Sequence, residues 1–238
     1  MHRYQILIEY VGTKFVGWQI QKNGNSIQGL IEKKLSKILN EKISVIGSGR
    51  TDSGVHAIEQ SAHFDFKKKI KDQKRFLKSA NYFLNKKLVS ILKIKKKTPL
   101  FHARHSAKMR SYIYVIYNRE APNSLHKERG WHIKRKLNIN LMKKGAKKLI
   151  GTFNYSTFRS SNCSAKSPIK TIKYFKIIKS KEKIKIRIKS KSFLQQQIRS
   201  MVGCLKYLGE QKWNIKKFQN VFKSRKRTLC APPAPAHG

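Results

Sequence analysis

The sequence has 238 residues, with 55 lysines and arginines against 11 aspartates and glutamates, and its formal net charge is +44. This length allows one large domain or two small ones, and the regular Leu, Ile and Phe spacing of a chain that is 39% hydrophobic excludes a wholly disordered protein. No window holds about 18 consecutive apolar residues and no signal peptide begins the chain, so we expect a soluble, cytoplasmic protein with no membrane segment.

The first hundred residues predict strands and helices in the order β-α-β-β-α-β, which is typical of the ferredoxin-like fold. Ser26 is the expected N-cap of the first helix, whose apolar residues fall on one helical stripe. A glycine-rich turn, GSGRTDSG, separates the second and third strands. The predicted elements are strand 4–10, helix 27–39, strands 43–48 and 58–66, helix 73–86 and strand 88–94.

The pattern then starts again as β-α-β-β-α. The predicted elements are strand 108–118, helix 138–151, strands 171–178 and 183–189, and helix 193–209. Alternation in the first of these strands places Tyr112, Tyr114 and Ile116 on one face. The closing strand is missing, because its place is taken by the proline-rich APPAPAHG. Either the chain is shortened or another segment fills that position in the sheet.

These patterns predict the α+β class, with two ferredoxin-like sub-domains over residues 1–100 and 101–238. We expect each to contain an antiparallel sheet with helices on one side. We also expect a central cleft between the two sub-domains.

The positive charge indicates a polyanionic partner, of which RNA is the obvious example. Nearly all of the excess is lysine, however, accompanied by Ile, Asn, Phe and Tyr, and an AT-rich genome produces this composition wherever selection is weak. A membrane surface is less favoured, because no basic amphipathic helix is set apart from the rest. The charge therefore predicts the class of partner only.

Cysteine and histidine placement argues against a metal site. Cys163, Cys204 and Cys230 lie far apart in sequence, as suits a reducing compartment, and no CxxC pair occurs. His102 and His105 have no thiol or carboxylate cluster near them in sequence. We expect no bound metal.

One carboxylate has an unusual setting. Asp52 lies in the turn Gly49–His56, flanked by glycines and preceded by Arg50, and it is one of only three aspartates in the chain. An Asp before Ser-Gly also forms turns simply by accepting hydrogen bonds from its own backbone. On local chemistry alone this structural interpretation would be favoured.

The segment GRTDSGVHAIEQ resembles the GRTDAGVHA motif of the TruA family of tRNA pseudouridine synthases. Further segments are similar to that family in the same order, over nearly all of the chain. They are EYVGTKFVGWQIQKNGNSIQGLIEKKL, FHARHSAKMRSYIYVIYN, GTFNYSTFRSSNCSAKSPIKTI, SFLQQQIRSMVGCLKYLG and APPAPAHG.

The resemblance implies an isomerase that converts uridine to pseudouridine at positions 38, 39 and 40 of the tRNA anticodon stem-loop. It implies a homodimer with tRNA as partner, an RNA-binding cleft, and no metal or organic cofactor. Asp52 matches the catalytic aspartate, whose carboxylate attacks the sugar C1′, assists elimination there, or adds to C6 of uracil. These three chemical routes stay open, and all of them need an ionised carboxylate.

The resemblance also implies three supporting residues. Arg199 matches the arginine that pairs with the catalytic aspartate. Arg50 matches the arginine that inserts among the stacked RNA bases at the place that the target nucleotide leaves. Tyr112 matches the tyrosine that stacks on the target uracil. Tyr114, on the same strand face, is the better candidate for a core aromatic.

Several neighbours are interpreted as structural. His56, near a strand start, is expected to be a structural residue and is not included among the catalytic residues. Phe15, Trp18, Gln19 and Gln60 are expected to be core or supporting positions. Phosphate contacts are expected from basic stretches in both halves, at 67–71, 93–97 and 159–166.

Two departures from the family pattern concern the last helix. Ser190-Lys191 replaces the usual Ala-Asn, and Gln196-Gln197 replaces His-Met, which bears on the dimer or the lining of the cleft rather than on Asp52. Two other functions compete with the isomerase. One is an RNA-binding or chaperone-like protein that has lost turnover, and the other is a ribosome-associated basic protein.

Overall fold

The structure is a computed structural model that describes residues 1–238. It contains nine β-strands and five α-helices, so the predicted α+β class is confirmed. The chain divides into two compact units, Met1–Ala107 and Lys108–Gly238. Each unit has its own sheet and its own hydrophobic core.

The first unit contains four strands and two helices in the order β-α-β-β-α-β. The elements are β1 (His2–Tyr10), α1 (Ile27–Leu39), β2 (Val45–Gly47), β3 (Ala57–Phe66), α2 (Gln73–Leu84) and β4 (Val89–Lys97). The strand order across the sheet is β2-β3-β1-β4, and every pair is antiparallel.

Both helices of the first unit contribute to the same core as the strands. In β1 every second residue from Tyr4 to Tyr10 is buried, as expected of a strand with one face against helices. Helix α1 begins where predicted, since the Ser26 hydroxyl oxygen accepts a hydrogen bond from the Gly29 amide at 3.1 Å. Helix α2 has the same kind of cap, with Asp72 accepting from Arg75 at 2.9 Å.

Residues 98–107 pack onto the first unit, although the boundary predicted from the sequence lies after residue 100. The Arg3 guanidinium donates to the carbonyl of Phe101 at 2.8 Å, and the Ala103 amide donates to Nδ1 of buried His63 at 3.1 Å. These hydrogen bonds attach the connecting segment to β1 and β3. The compact unit consequently ends at Ala107.

Arg3 and Asp65 form a two-pronged ion pair directly across β1 and β3, with N–O distances of 2.8 and 2.7 Å. The hydrogen bonds from Arg3 hold the pKa of Asp65 below its ordinary value, although burial acts in the opposite direction. Because the pKa is depressed in the folded state, this pair stabilises the fold above the ordinary Asp pKa. The stabilisation is lost as the pH falls through the folded pKa.

We expect Asp65→Asn to lower the free energy of unfolding at pH 7 by about 1 kcal/mol, since both partners remain partly exposed and the pair is screened. Below the folded pKa the wild-type carboxyl is itself neutral, so the two proteins should approach equal stability. Urea unfolding at pH 7 and in acid measures both differences. An equal difference at the two pH values would contradict the assignment.

The second unit contains a five-stranded sheet in the order β6-β5-β9-β8-β7. Its strands are β5 (Arg110–Asn118), β6 (Trp131–Ile133), β7 (Gly151–Asn154), β8 (Ile169–Ser180) and β9 (Lys183–Ser190). Its helices are α3 (Ile139–Lys147), α4 (Gln197–Gly209) and α5 (Ile215–Lys223). Only the β5–β6 pair is parallel.

Two predicted helix boundaries in this unit are wrong. Helix α3 ends at Lys147 rather than at Gly151, whose φ of +128° is incompatible with a helix and which instead begins β7. Helix α4 begins at Gln197 rather than at Phe193, because Gln196 adopts a left-handed backbone with φ of +60°. Strands β6 and β7 and helix α5 are not predicted by the sequence analysis.

A short strand fills part of the sheet position that the sequence analysis leaves empty. Strand β6 pairs in parallel with Ile116–Asn118, on the side of β5 opposite β9. The segment from Ala231 to Gly238 forms no strand. Part of the position expected for the closing strand is therefore occupied by another segment, β6.

Candidate active site

Asp52 lies in the loop between β2 and β3, on a backbone that neighbouring segments hold at several points. The Trp18 amide donates to the Thr51 carbonyl at 3.1 Å, and the Ser48 amide donates to the Ser61 carbonyl at 2.8 Å. Asp52 itself opens a turn, in which its carbonyl accepts from the Val55 amide at 3.1 Å. The loop is thus tied on both sides of the carboxylate.

Two glycines allow the segment after β1 to approach this loop closely. A Cβ on Gly12 would lie 2.0 Å from the Val55 carbonyl oxygen, and a Cβ on Gly17 would lie 2.6 Å from the Thr51 carbonyl oxygen. Gly17 also has φ of +110°, which disfavours a side chain. These glycines are therefore required by the path of the loop.

Side-chain hydrogen bonds complete the attachment. The hydroxyls of Tyr10 and Thr51 lie 2.8 Å apart, and the Ser53 hydroxyl donates to the Phe15 carbonyl at 3.1 Å. The Gly12 amide donates to Nδ1 of His56 at 3.0 Å, so His56 has the structural contact expected of it. The residues that flank Asp52 in sequence are fixed by these contacts.

The residues predicted to be supporting positions do contact this loop or the core. Phe15 and Trp18 are buried in the core of the first unit. Gln60 donates from its side-chain amide to the Gly49 carbonyl. The Arg50 Nε donates to the Gln19 side-chain oxygen at 3.2 Å, and Arg50 is exposed on the same loop as Asp52.

In the second unit, the two tyrosines of β5 differ in burial. Tyr114 is 4% exposed and its hydroxyl donates to the Pro235 carbonyl at 2.8 Å, which confirms the expected core role. Tyr112 is only partly buried, and its ring meets Phe193 edge-on at 5.3 Å between centroids. Of the two aromatic rings, Tyr112 therefore has the greater access to a ligand.

Arg199 lies in the first turn of α4 and joins this helix to the C-terminal segment. Its Nε donates to the Ala234 carbonyl at 2.7 Å, and its own carbonyl accepts from the Ala234 amide at 2.9 Å. The segment lies so close to α4 that a Cβ on Gly203 would be 2.1 Å from the Pro232 carbonyl oxygen. These contacts restrict the guanidinium of Arg199 to few orientations.

The pKa of the Tyr114 hydroxyl does not suit a role in proton transfer. Burial raises the pKa of Tyr114 well above its usual range, even though the positive charge of Arg199 acts in the opposite direction. The phenol therefore stays protonated and serves as a hydrogen-bond donor. Its carbonyl acceptor belongs to the same C-terminal segment that Arg199 contacts.

The two glutamines that depart from the family pattern lie at the start of α4 and in the segment that leads into it. Gln197 is fully buried, and its side-chain oxygen accepts from the Leu194 amide at 2.8 Å. Gln196 has the left-handed backbone that precedes the helix. Both glutamines therefore have a defined place in the structure next to Arg199.

No group of three or more His, Cys, Asp and Glu residues is arranged to hold a metal ion. None of the helices has both the length and the apolar character needed to cross a membrane.

A family model described as tRNA pseudouridine synthase matches residues 6–106 and 146–238. These ranges include the loop with Asp52 and Arg50, and helix α4 with Arg199. The chain belongs to the tRNA pseudouridine synthase family. Tyr112 lies in the part of this pseudouridine synthase, residues 107–145, that the family model does not match.

Curated relatives agree over the full length. The chain is 64% identical over 238 residues to tRNA pseudouridine synthase A of Pelagibacter ubique (strain HTCC1062), covering 100% of this chain and 97% of the relative. It is 41% identical to the protein of the same name from Sinorhizobium fredii (strain NBRC 101917 / NGR234), with coverage of 100% and 97%. The corresponding protein of Brucella ovis is 37% identical, with coverage of 100% and 95%.

The sequence predicts Asp52 as a candidate catalytic residue, but the two glycines that position its loop are not predicted from it. Gly12 and Gly17 occur in VGTKFVGW, which drew attention only as part of the resemblance. Glycines five residues apart after a strand are a signal of close backbone approach, although they do not indicate which segment approaches.

Proposed function

We propose that this pseudouridine synthase isomerises uridine to pseudouridine at positions 38, 39 and 40 of the tRNA anticodon stem-loop, with Asp52 as the catalytic nucleophile. The observation that carries the proposal is the GRTDSGVHA loop. Hydrogen bonds to Trp18, Tyr10 and Phe15 hold the residues on both sides of the Asp52 carboxylate in place. A fixed carboxylate is what attack on one carbon of a bound nucleotide requires.

The reaction breaks the bond from C1′ of the ribose to N1 of uracil and forms a bond from C1′ to C5. The C5 proton leaves and N1 gains a proton, so atoms and electrons balance without a redox partner. A carboxylate that bonds to C1′ or C6 during the exchange keeps the detached or turning base associated with the enzyme. The proposal therefore needs no metal and no organic cofactor.

We assign the supporting roles from the matched positions. Arg199 is the ion-pair partner that would keep Asp52 ionised and aligned, and its contacts with Ala234 leave the guanidinium little freedom. Tyr112 is the platform for the flipped uracil, which agrees with a partly exposed ring. Arg50 assists base flipping from the exposed side of the Asp52 loop.

We extend the proposal to the architecture and the setting of the enzyme. The element order and the strand order β2-β3-β1-β4 of the first unit support a ferredoxin-like sub-domain. A second such sub-domain, a central RNA-binding cleft, a homodimer and a cytoplasmic location belong to the same proposal. The net charge of +44 supports tRNA as the partner.

The test is release of tritium from a tRNA transcript labelled at C5 of uridine, because C5 loses its proton only when the new bond forms. A transcript with cytidine at positions 38, 39 and 40 is the matched control. We expect release from the first transcript alone. Tight tRNA binding without any release would favour the RNA-binding or chaperone-like protein instead.

A further inference from the structure

The sheet of the second unit has one face covered by helices and one face without helices. Ile184, Ile186 and Ile188 of β9 belong to the core that includes residues of α3, α4 and α5. Because side chains alternate along a strand, the residues that lie between these isoleucines and on either side of them are on the other face. These residues are Lys183, Lys185, Arg187 and Lys189.

One neighbouring strand adds a single cation to this row, and none of the residues paired with the row is acidic. Arg187 is directly opposite Lys176 of β8, and Lys185 is opposite Ile178. Like charges directly across two strands are destabilising. The fold therefore carries an electrostatic cost on this face, and a bound polyanion would remove it.

One end of this face contains a cavity of about 560 Å³, between the segment after β5 and the β8–β9 hairpin. Its volume is within the range of pockets that hold small ligands. Its lining includes five cations and one carboxylate. The charged lining residues are Arg119, Lys181, Glu182, Lys183, Lys185 and Arg187.

The single carboxylate is already paired. Glu182 accepts from Arg119 at 3.2 Å, and the same guanidinium donates to the carbonyls of Ala121 and Pro122. Arg119 thus has a structural role at the rim. The other four cations form no ion pair, so the cavity keeps a strong positive potential.

Aromatic and amide groups complete the lining. The rings of Tyr117 and His126 are stacked, with centroids 5.4 Å apart and planes 9° apart, and Lys183 lies 5.4 Å from the Tyr117 centroid. Asn123 also lines the cavity, and its side-chain nitrogen is buried with no hydrogen-bond acceptor. Leu125, at the same rim, is 95% exposed.

We propose that this cavity and the adjoining cation row bind the phosphodiester backbone of an RNA strand, as a contact site additional to the one that holds the reacting nucleotide. Alternate residues of a strand are about 7 Å apart, so the four cations of β9 present regularly spaced partners for successive phosphates. Tyr117 is only 7% exposed, whereas His126 is exposed, so His126 is the ring of this cavity on which a nucleobase can stack.

A second copy of this chain fits the face less well than RNA. In a two-fold dimer the same patch occurs on both partners, so an interface formed by this face would bring the cation row close to its own copy. The segment after β5 that lines the cavity, residues 119–126, lies outside the ranges that the family model matches. The inference rests on RNA being the substrate, but on no role proposed for Asp52, Arg199, Tyr112 or Arg50.

The test compares two double variants of the full chain. Lys185→Gln with Arg187→Gln removes two cations from the cavity. Lys143→Gln with Lys147→Gln is the matched control, because it removes two exposed cations from α3. Binding of a tRNA transcript is measured against salt concentration, with oligomeric state measured by light scattering and folding by thermal denaturation.

We expect the cavity variant to bind tRNA about tenfold more weakly near physiological salt and to lose about two units of the slope of log affinity against log salt. The control should keep the wild-type slope. Ultraviolet crosslinking of wild-type protein to tRNA should give crosslinked peptides that contain Tyr117 or His126.

Equal slopes for the two variants, or a cavity variant that changes only the oligomeric state, would overturn the inference. A cavity variant that fails to fold leaves the crosslinking result to decide, and absence of both peptides would then count against the site. If the wild-type chain binds no tRNA at all, the proposed function fails as well. If the wild-type chain binds tRNA and the cavity variant binds it equally well, this inference fails and the proposed function stands.

Discussion

Asp52→Asn is expected to lower the rate of pseudouridine formation by at least about 10⁴-fold, because an amide cannot act as the anionic nucleophile. The tRNA affinity should stay within about threefold of wild type, since the change removes one carboxylate from a surface dominated by cations. Tritium release under single-turnover conditions measures the chemical step, and filter binding measures the affinity.

The fold should survive this substitution, because hydrogen bonds of the flanking residues hold the loop. Thr51, Ser53 and Val55 supply contacts on both sides of Asp52. Asn before Ser is prone to deamidation, which would regenerate Asp, so Asp52→Ala should be measured alongside. Both variants should be inactive.

Asp72→Asn is the matched control. It removes the same charge from the same unit, and Asn replaces Asp well as the N-cap of α2. This variant should keep wild-type activity. Retention of activity by Asp52→Ala, or a parallel loss of tRNA binding, would contradict the assignment of Asp52 as a nucleophile with little part in affinity.

Most of the elements could be predicted because their periodicity is local. The helix that begins after Ser26 and the alternating strands β5 and β9 are examples in which one face is buried and the other is not. Strand β6 has three residues and β7 has four, which is too short for alternation to be detected. Their positions depend on tertiary contacts.

Helix α5 was not predicted, although the sequence does contain the signal for it. Asn214 is the N-cap, and Phe218, Val221 and Phe222 recur at the spacing of one buried helical face. The boundary of α4 was harder to place, since Phe193, Leu194 and Ile198 continue an apolar pattern through a left-handed residue. The backbone conformation of Gln196 has no such local signal.

The site could be predicted only in part. The Asp52 loop is recognisable as a motif, and Tyr114 could be assigned to the core by alternation with Ile116. The support of the loop involves segments about 40 residues apart, such as Gly12 and Val55, and no local pattern reports such a contact. Resemblance indicates the reacting residues more readily than the residues that position them.

Gly12→Ala is expected to lower kcat about 100-fold while changing KM little. The φ of Gly12 is not in the left-handed region, so alanine causes no backbone strain there. Its Cβ would instead lie 2.0 Å from the oxygen and 2.6 Å from the carbon of the Val55 carbonyl. Both are backbone atoms, so the loop itself has to move, and a shift of about 1 Å at a catalytic group costs a rate factor of this size.

Gly29→Ala provides the same chemical change away from the loop. Gly29 lies in the first turn of α1, and a Cβ there would meet only side-chain atoms, the Ser26 hydroxyl at 3.0 Å and Ile20 at 3.5 Å, which can shift without moving the backbone. This control should keep wild-type kcat. Because Gly12 contacts no part of the cation-rich surfaces proposed to hold RNA, a Gly12→Ala protein that loses affinity in proportion to rate would indicate unfolding of the unit. Full activity would show that the loop tolerates displacement, in which case the fixed position of Asp52 is not what the reaction requires.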